Sequence, residues 1–290
     1  MPKIAYIEKK FRAESLETIE RVNSIIQEYD LAGYSLTLRQ VYYQLVARGF
    51  IPNNDRSYKN LGNLINDGRM AGLIDWYAIT DRTRFVRKNP HWDSISDIVK
   101  SSANQFYKDH WIDSPNYVEV WVEKDALIDI VQQVCEELDV PCFSCRGYVS
   151  QSEMWQAAMR FRNKEIYGKQ THILHFGDHD PSGIDMSRDI QERLEMFGSS
   201  VVVERLALNR DQIDIFNPPP NPAKVTDARF SSYTRVYGYE CWELDALDPQ
   251  TLTDEIRKGI ANYLNVDIWD RVEKEISDGK SQLIQISNSL

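Results

Sequence analysis

No apolar run in this chain approaches the ~20 residues that a membrane-spanning helix requires, although 42% of its 290 residues are hydrophobic. That combination fits a water-soluble globular protein with room for one large domain or two ordinary ones. The opening stretch, MPKIAYIEKKFRAE, lacks the apolar core of a signal peptide, so a cytoplasmic location is expected. Cysteine is scarce, with Cys135, Cys142, Cys145 and Cys241 the only four. Cys142 and Cys145 have C-x-x-C spacing but no second pair, which a zinc ribbon needs. They also sit in a strand-like stretch, whereas a thioredoxin-like pair opens a helix. Reduced cysteines without a catalytic role are expected. A phosphate-binding loop is missing as well: Gly279-Lys280-Ser281 has Lys274 where the leading glycine belongs. There is no internal repeat and no low-complexity tract.

Net positive charge is also absent, the balance being −10, which at first argues against nucleic acid. The distribution reverses that impression. Residues 1–90 hold 14 Lys and Arg against 10 Asp and Glu, and the remaining 200 hold 20 against 34. A basic third joined to an acidic remainder is the asymmetry that matters. Arg82, Arg84, Arg87 and Lys88 supply much of the basic excess.

Helical spacing of Leu16, Ile19, Val22, Ile25 and Ile26 predicts a helix over 15–29, with Ser15 as its cap. Thr37 and Gln40 form a capping box for a second helix, which Gly49 stops. Its buried stripe is Leu38, Val41, Tyr42, Leu45 and Val46. A third helix is expected from Ser57 to about Ala71, presenting Lys59, Asn60, Asn63 and Asn66 on its polar side. A short strand, Trp76-Tyr77-Ala78-Ile79, and the basic segment 80–88 follow. Three helices, a strand and a basic loop make a winged helix over residues 1–100. In such a domain the third helix enters a DNA groove and the wing lies on phosphates. Lys59, Asn63, Asn66, Arg82, Arg84, Arg87 and Lys88 are its candidate DNA contacts. The plainer reading is an ordinary solvated face and loop.

After a partly helical connector the pattern alternates regularly. Strands are expected at 117–122, 140–145, 171–176 and 200–206, with helices at 125–138, 150–163 and 183–196. This is the signature of an α/β domain with a parallel sheet covered on both faces. It spans 111–290, includes a stiff proline-rich loop at 217–222, and ends in helices, one capped by Asp248 with Pro249 at its first position.

Two of those strands end in carboxylates: Val122-Glu123 and, after Phe176, Gly177-Asp178-His179-Asp180-Pro181-Ser182-Gly183. Ligands of open parallel sheets collect at the carboxyl ends of the strands. Glu123, Asp178 and Asp180 converging there would repel one another without a cation, and hard oxygen donors with room for water suit Mg²⁺. Any one of these acids alone would be an ordinary helix cap. On the second helix, Tyr42 falls within the apolar stripe while Tyr43 points away from it, one turn beyond Arg39. A guanidinium beside a phenol stabilises the phenolate and can hold a phosphate. Tyrosine can also form covalent enzyme intermediates. Tyr43 is therefore either a nucleophile or an exposed residue that stacks on DNA.

Several of these motifs resemble one family. Leu38-Arg39-Gln40-Val41-Tyr42-Tyr43 is similar to the R-[DEQ]-x-[YF]-Y motif of the topoisomerase VI A subunit and the related meiotic double-strand-break protein. Val122-Glu123-Lys124-Asp125-Ala126 resembles their V-E-K-D-A. Gly147-Tyr148 resembles the turn after their second strand, and Gly177 to Asp185 resembles D-x-D-P-x-G-x-D/Y. The likeness covers roughly residues 30–250. It implies a winged helix followed by a Toprim domain, with Glu123, Asp178 and Asp180 as ligands of Mg²⁺, for which Mn²⁺ can substitute. It also implies Tyr43 as the nucleophile that leaves a 5′-phosphotyrosyl bond in duplex DNA, and Arg39 as the group that positions the phosphate. The family works as a homodimer, with each tyrosine served by the partner subunit's metal. The chain is shorter than typical members and lacks most of the extension that reaches an ATPase B subunit. It is most like the compact stand-alone relatives of viruses and mobile elements. His179 is expected to face away from the metal. Two rivals remain open: a hydrolytic Toprim nuclease in which Tyr43 only binds, and a non-catalytic DNA-binding protein.

Overall fold

The computed structural model describes residues 3–79 and 89–290. Three helices open the chain: α1 (Ala13–Leu31), α2 (Leu38–Ala47) and α3 (Asp55–Met70). The first begins before Ser15, with Arg12 at its cap position and no side-chain cap. The capping box of α2 is present, with Gln40 Oε1 accepting the Thr37 N–H at 2.8 Å. Gly49 turns the chain out of α2 at φ 71°, a conformation natural to glycine. Helix α3 starts two residues before Ser57, capped by Asn54, whose side chain accepts the Ser57 N–H at 2.9 Å. Val22, Ile25, Val41, Leu45, Leu61 and Ile65 form the shared core of these helices.

The stretch 76–79 is not a strand. Asp75 Oδ1 accepts the Tyr77 N–H at 2.8 Å, an Asx turn that bends the backbone away from extension. Ile79 makes only a single bridge to Leu36. The basic segment 80–88, with Arg82, Arg84, Arg87 and Lys88, lies outside the described residues.

The connector forms α4 (Ile95–Gln105). Then come β1 (Asn116–Val122), a 3-10 turn over Asp125–Leu127, α5 (Ile128–Glu137), β2 (Cys142–Ser144), α6 (Gln151–Ile166), β3 (Gln170–Phe176), α7 (Pro181–Met196) and β4 (Val202–Ala207). The four strands are parallel in the order β2-β1-β3-β4. Period-two alternation explains the two covered faces. Val118, Val120 and Val122 pack toward α5, while Tyr117 and Trp121 pack with Met154, Phe161, Ile190 and Leu194 from α6 and α7. Each such side chain contributes about 1.5–3 kcal/mol on burial. This mixed α/β layering matches the expected fold class.

Beyond β4 the chain forms α8 (Arg210–Phe216), β5 (Asn221–Pro222), α9 (Phe230–Tyr237), β6 (Glu240–Cys241), a 3-10 turn over Leu244–Ala246, α10 (Pro249–Ala261) and α11 (Val266–Ser289). Part of the proline-rich loop is therefore ordered as β5, paired with β6. Asp248 caps α10 with Pro249 at its start. Helix α11 runs antiparallel to α4, with Ser96 Oγ donating to the Ser287 carbonyl at 2.8 Å. The turn 244–246 reaches the first three helices, and Ala246 is buried in their core. All four cysteines are free. Among the described residues no helix is long and apolar enough to cross a membrane.

Candidate active site at the switch point of the sheet

The chain leaves β1 toward β2 on one side and returns to β3 on the other, so the crevice between β1 and β3 is the topological switch point, where open α/β sheets hold their ligands. The three expected acids flank it. Glu123 follows β1, and its Oε2 accepts the Asp178 N–H at 2.8 Å. Asp178 follows β3: Oδ1 accepts the Leu244 N–H at 2.8 Å, and Oδ2 lies 3.0 Å from Lys124 Nζ. Asp180 Oδ1 caps α7, accepting the Gly183 N–H at 2.6 Å and the Ser182 hydroxyl at 3.0 Å. The capping role is thus real for Asp180 and occupies only one of its oxygens. Gly183 is required by this turn, since a Cβ there would lie 2.2 Å from the Asp178 carbonyl oxygen.

Burial raises the pKa of Glu123, with the charge of Asp180 adding to it and the Asp178 N–H opposing. Burial also raises Asp178, against the pull of Lys124. Among the described residues no three acidic, histidine or cysteine groups stand in ligating geometry. Lys124 occupies Asp178, and helix capping occupies one oxygen of Asp180. The donor chemistry nonetheless fits Mg²⁺: hard carboxylates that repel one another, with Glu123 Oε1 and Asp180 Oδ2 free of hydrogen bonds from other described residues.

Two cations missed by the sequence reading organise the crevice. Arg205, on β4, donates to the carbonyls of Gly177 at 3.0 Å, Asp178 at 2.6 Å, Gly183 at 2.9 Å and Leu208 at 3.2 Å. It thereby fixes the backbone of the loop that carries Asp178 and Asp180. Burial lowers its pKa, and the three acids above it oppose that shift. Lys124 lies 3.0 Å from Asp178, 2.7 Å from Glu243 and 2.8 Å from Asp245. Burial opposes its charge, and these carboxylates outweigh burial and raise its pKa.

Glu243 and Asp245 also hold Arg39. Arg39 donates to Glu243 Oε2, and its Nε faces Asp245 Oδ2 at 2.6 Å as an ion pair without hydrogen-bond alignment. The Tyr43 phenol lies close enough to Glu243 for each to shift the other's titration, and the Arg39 guanidinium sits 5.7 Å from the Tyr43 ring centre. A continuous relay of charged groups therefore runs Arg39, Glu243, Lys124, Asp178, all within one chain, with Tyr43 beside Glu243. Tyr43 does not lie on an exposed face. It is only 4% exposed, because the turn 243–246 covers the side of α2 that points away from the apolar stripe. Burial, then Asp245 and Glu243, push its phenol pKa up, against Arg39. Lys124 and Arg39 overcome the effect of burial on Glu243 and hold its pKa at about 2. A cavity of ≈ 120 Å³ opens beside this group, lined by Arg39, Tyr42, Tyr43, Asn53, Asn54 and Glu243.

His179 faces away from the acids, its Nδ1 2.8 Å from the Tyr233 hydroxyl. Its backbone pairs with Trp242 in both directions, at 2.8 and 2.9 Å, which locks the segment bearing Glu243 beside the crevice. On α3, Lys59, Asn63 and Asn66 are exposed along one flank. No family model, no curated protein and no solved structure matches this chain.

Proposed function

We propose that this chain is a DNA-cleaving transesterase of the type IIB topoisomerase A-subunit kind. In this reading the three-helix body is a winged helix, the sheet domain is a Toprim domain, and the protein acts on duplex DNA as a homodimer. The observation that carries the reading is Arg39 beside Tyr43 on α2 in a chain that gathers three acids at its switch point. The relay within the chain fixes α2 against the sheet, and the metal serving each tyrosine would come from the partner subunit. Tyr43 Oη attacks the phosphorus, a tyrosyl–phosphate bond forms, and the 3′ oxygen of the deoxyribose leaves. The phenol proton is lost and the departing oxygen gains one. Arg39 favours the phenolate and steadies the phosphate by charge. Lys59, Asn63, Asn66 and the basic residues Arg82, Arg84, Arg87 and Lys88 hold the duplex, chiefly through its backbone. Glu123, Asp178 and Asp180 would hold Mg²⁺, or Mn²⁺ in its place, and the ion would neutralise and position the scissile phosphate. The phosphotyrosyl bond conserves the energy of the broken one, so resealing needs no cofactor. Strand passage driven by ATP needs a separate B-type subunit.

The burial of Tyr43 favours a second reading, a hydrolytic nuclease in which metal-activated water attacks and Tyr43 is structural. Covalent trapping separates the two. The protein is mixed with end-labelled duplex and Mg²⁺ or Mn²⁺, then quenched with detergent. Label travelling with wild-type protein and lost in Tyr43→Phe is the expected result. Cleaved DNA free of protein in both would establish the hydrolytic reading, and absence of cleavage would leave a binding protein or a missing subunit.

A further inference from the structure

Arg39 and Lys124 come from different parts of the fold, one on α2 and one just beyond β1, yet both donate to the same oxygen, Glu243 Oε2. An oxygen bridging a guanidinium and an ammonium is the arrangement a phosphate oxygen adopts between the same two groups. The two carboxylates that meet both cations are not equivalent. Asp245 has a side-chain exposure of 0%, whereas Glu243 is at 22% and Arg39 at 41%. Asp245 is a fixed counter-ion to both cations, and Glu243 is an occupant that solvent and ligands can reach. The adjoining cavity of ≈ 120 Å³ is several times a water molecule's share of about 30 Å³. Tyr43 and Glu243 line this cavity together, so the occupant stands beside Tyr43.

We infer that Arg39 and Lys124 form a phosphate seat and that Glu243 is its built-in occupant, displaced when a phosphodiester binds. Displacement exchanges one anion for another between the two cations and leaves Asp245 in place to hold them. The same movement takes Glu243 away from Tyr43 and opens the covered side of α2. Lys124 thereby joins Arg39 as a direct phosphate contact. The assignment of the phosphate to DNA rests on the function proposed above, and the test keeps the two apart.

Two probes are used on the full chain in EDTA, so that no cleavage intervenes: inorganic phosphate, followed by calorimetry, and a labelled duplex, followed by anisotropy at about 0.1 M salt. Glu243→Gln keeps the shape and removes the charge, and Glu243→Ala serves if Gln impairs folding, which thermal unfolding reports. The expected result is at least about tenfold tighter phosphate binding by the Glu243 variant than by wild type, abolished when Arg39→Ala is added. The duplex is expected to follow the same order. Equal or weaker phosphate binding by the Glu243 variant, or a gain that survives Arg39→Ala, overturns the seat. A phosphate gain with no duplex binding by any form supports the seat and removes the DNA reading.

Discussion

Arg205 shows how much of the crevice depends on one side chain. It carries a buried positive charge whose partners are mainly backbone carbonyls. Each acceptor left without a donor in the interior costs about 1–3 kcal/mol. Removing the cation also leaves Glu123, Asp178 and Asp180 repelling one another with only Lys124 between them. Arg205→Leu is therefore expected to destabilise the protein by about 3–5 kcal/mol, read from urea unfolding. Arg205→Lys recovers only part of this, because an ammonium on a flexible stem cannot serve four carbonyls in a planar fork. A loss below about 1 kcal/mol for the Leu variant would mean that water or neighbouring donors already satisfy the loop.

The helices and strands show which signals survive translation into structure. Local ones did. The Thr37–Gln40 box, the Gly49 stop and the Asp248–Pro249 start all lie within one turn of the ends they set, and all are present. Period-two alternation placed the valines of β1 on one face because each strand residue flips sides. The errors also have local causes: Asn54 captured the start of α3 from Ser57, and Asp75 bent a stretch whose composition suits a strand. Tyr43 failed differently. Its place off the apolar stripe suggested exposure, but a turn two hundred residues away covers it. Periodicity places a side chain on a helix and says nothing of what later packs there. Lys124 and Arg205 were missed for the same reason, since their partners come together only in the fold. The close contact of α4 and α11 is another long-range feature. A Cβ on Gly279 would lie 2.3 Å from the Phe106 ring. In an exposed helix Gly→Ala stabilises by up to about 1 kcal/mol, but here the ring must move or the helices must part. Gly279→Ala is expected to cost about 1–3 kcal/mol and lower the thermal midpoint. Adding Phe106→Leu should restore most of the loss. Additive effects of the two changes would deny the contact.

At the scale of the whole molecule the charge division constrains how a duplex would be met under the proposed function. The first 90 residues carry an excess of four positive charges and the rest an excess of fourteen negative ones. A duplex would be attracted to the first part and repelled by the second, which would set its orientation before any specific contact forms. The acids of the crevice belong to the repelling part. Lys124 and Arg205 offset their charge locally, which under the proposed function would let a phosphate approach. Affinity should then depend mainly on the basic third and fall steeply with salt. Replacing Arg82, Arg84, Arg87 and Lys88 together by Gln removes four candidate phosphate contacts. Each contact contributes about 0.9 to the slope of log affinity against log salt. The variant is expected to bind duplex more weakly at low salt and with a slope shallower by about 3–4, measured by anisotropy from 50 to 200 mM. An unchanged slope would place the phosphate contacts elsewhere, leaving the exposed flank of α3 and the Arg39–Lys124 seat to account for the attraction.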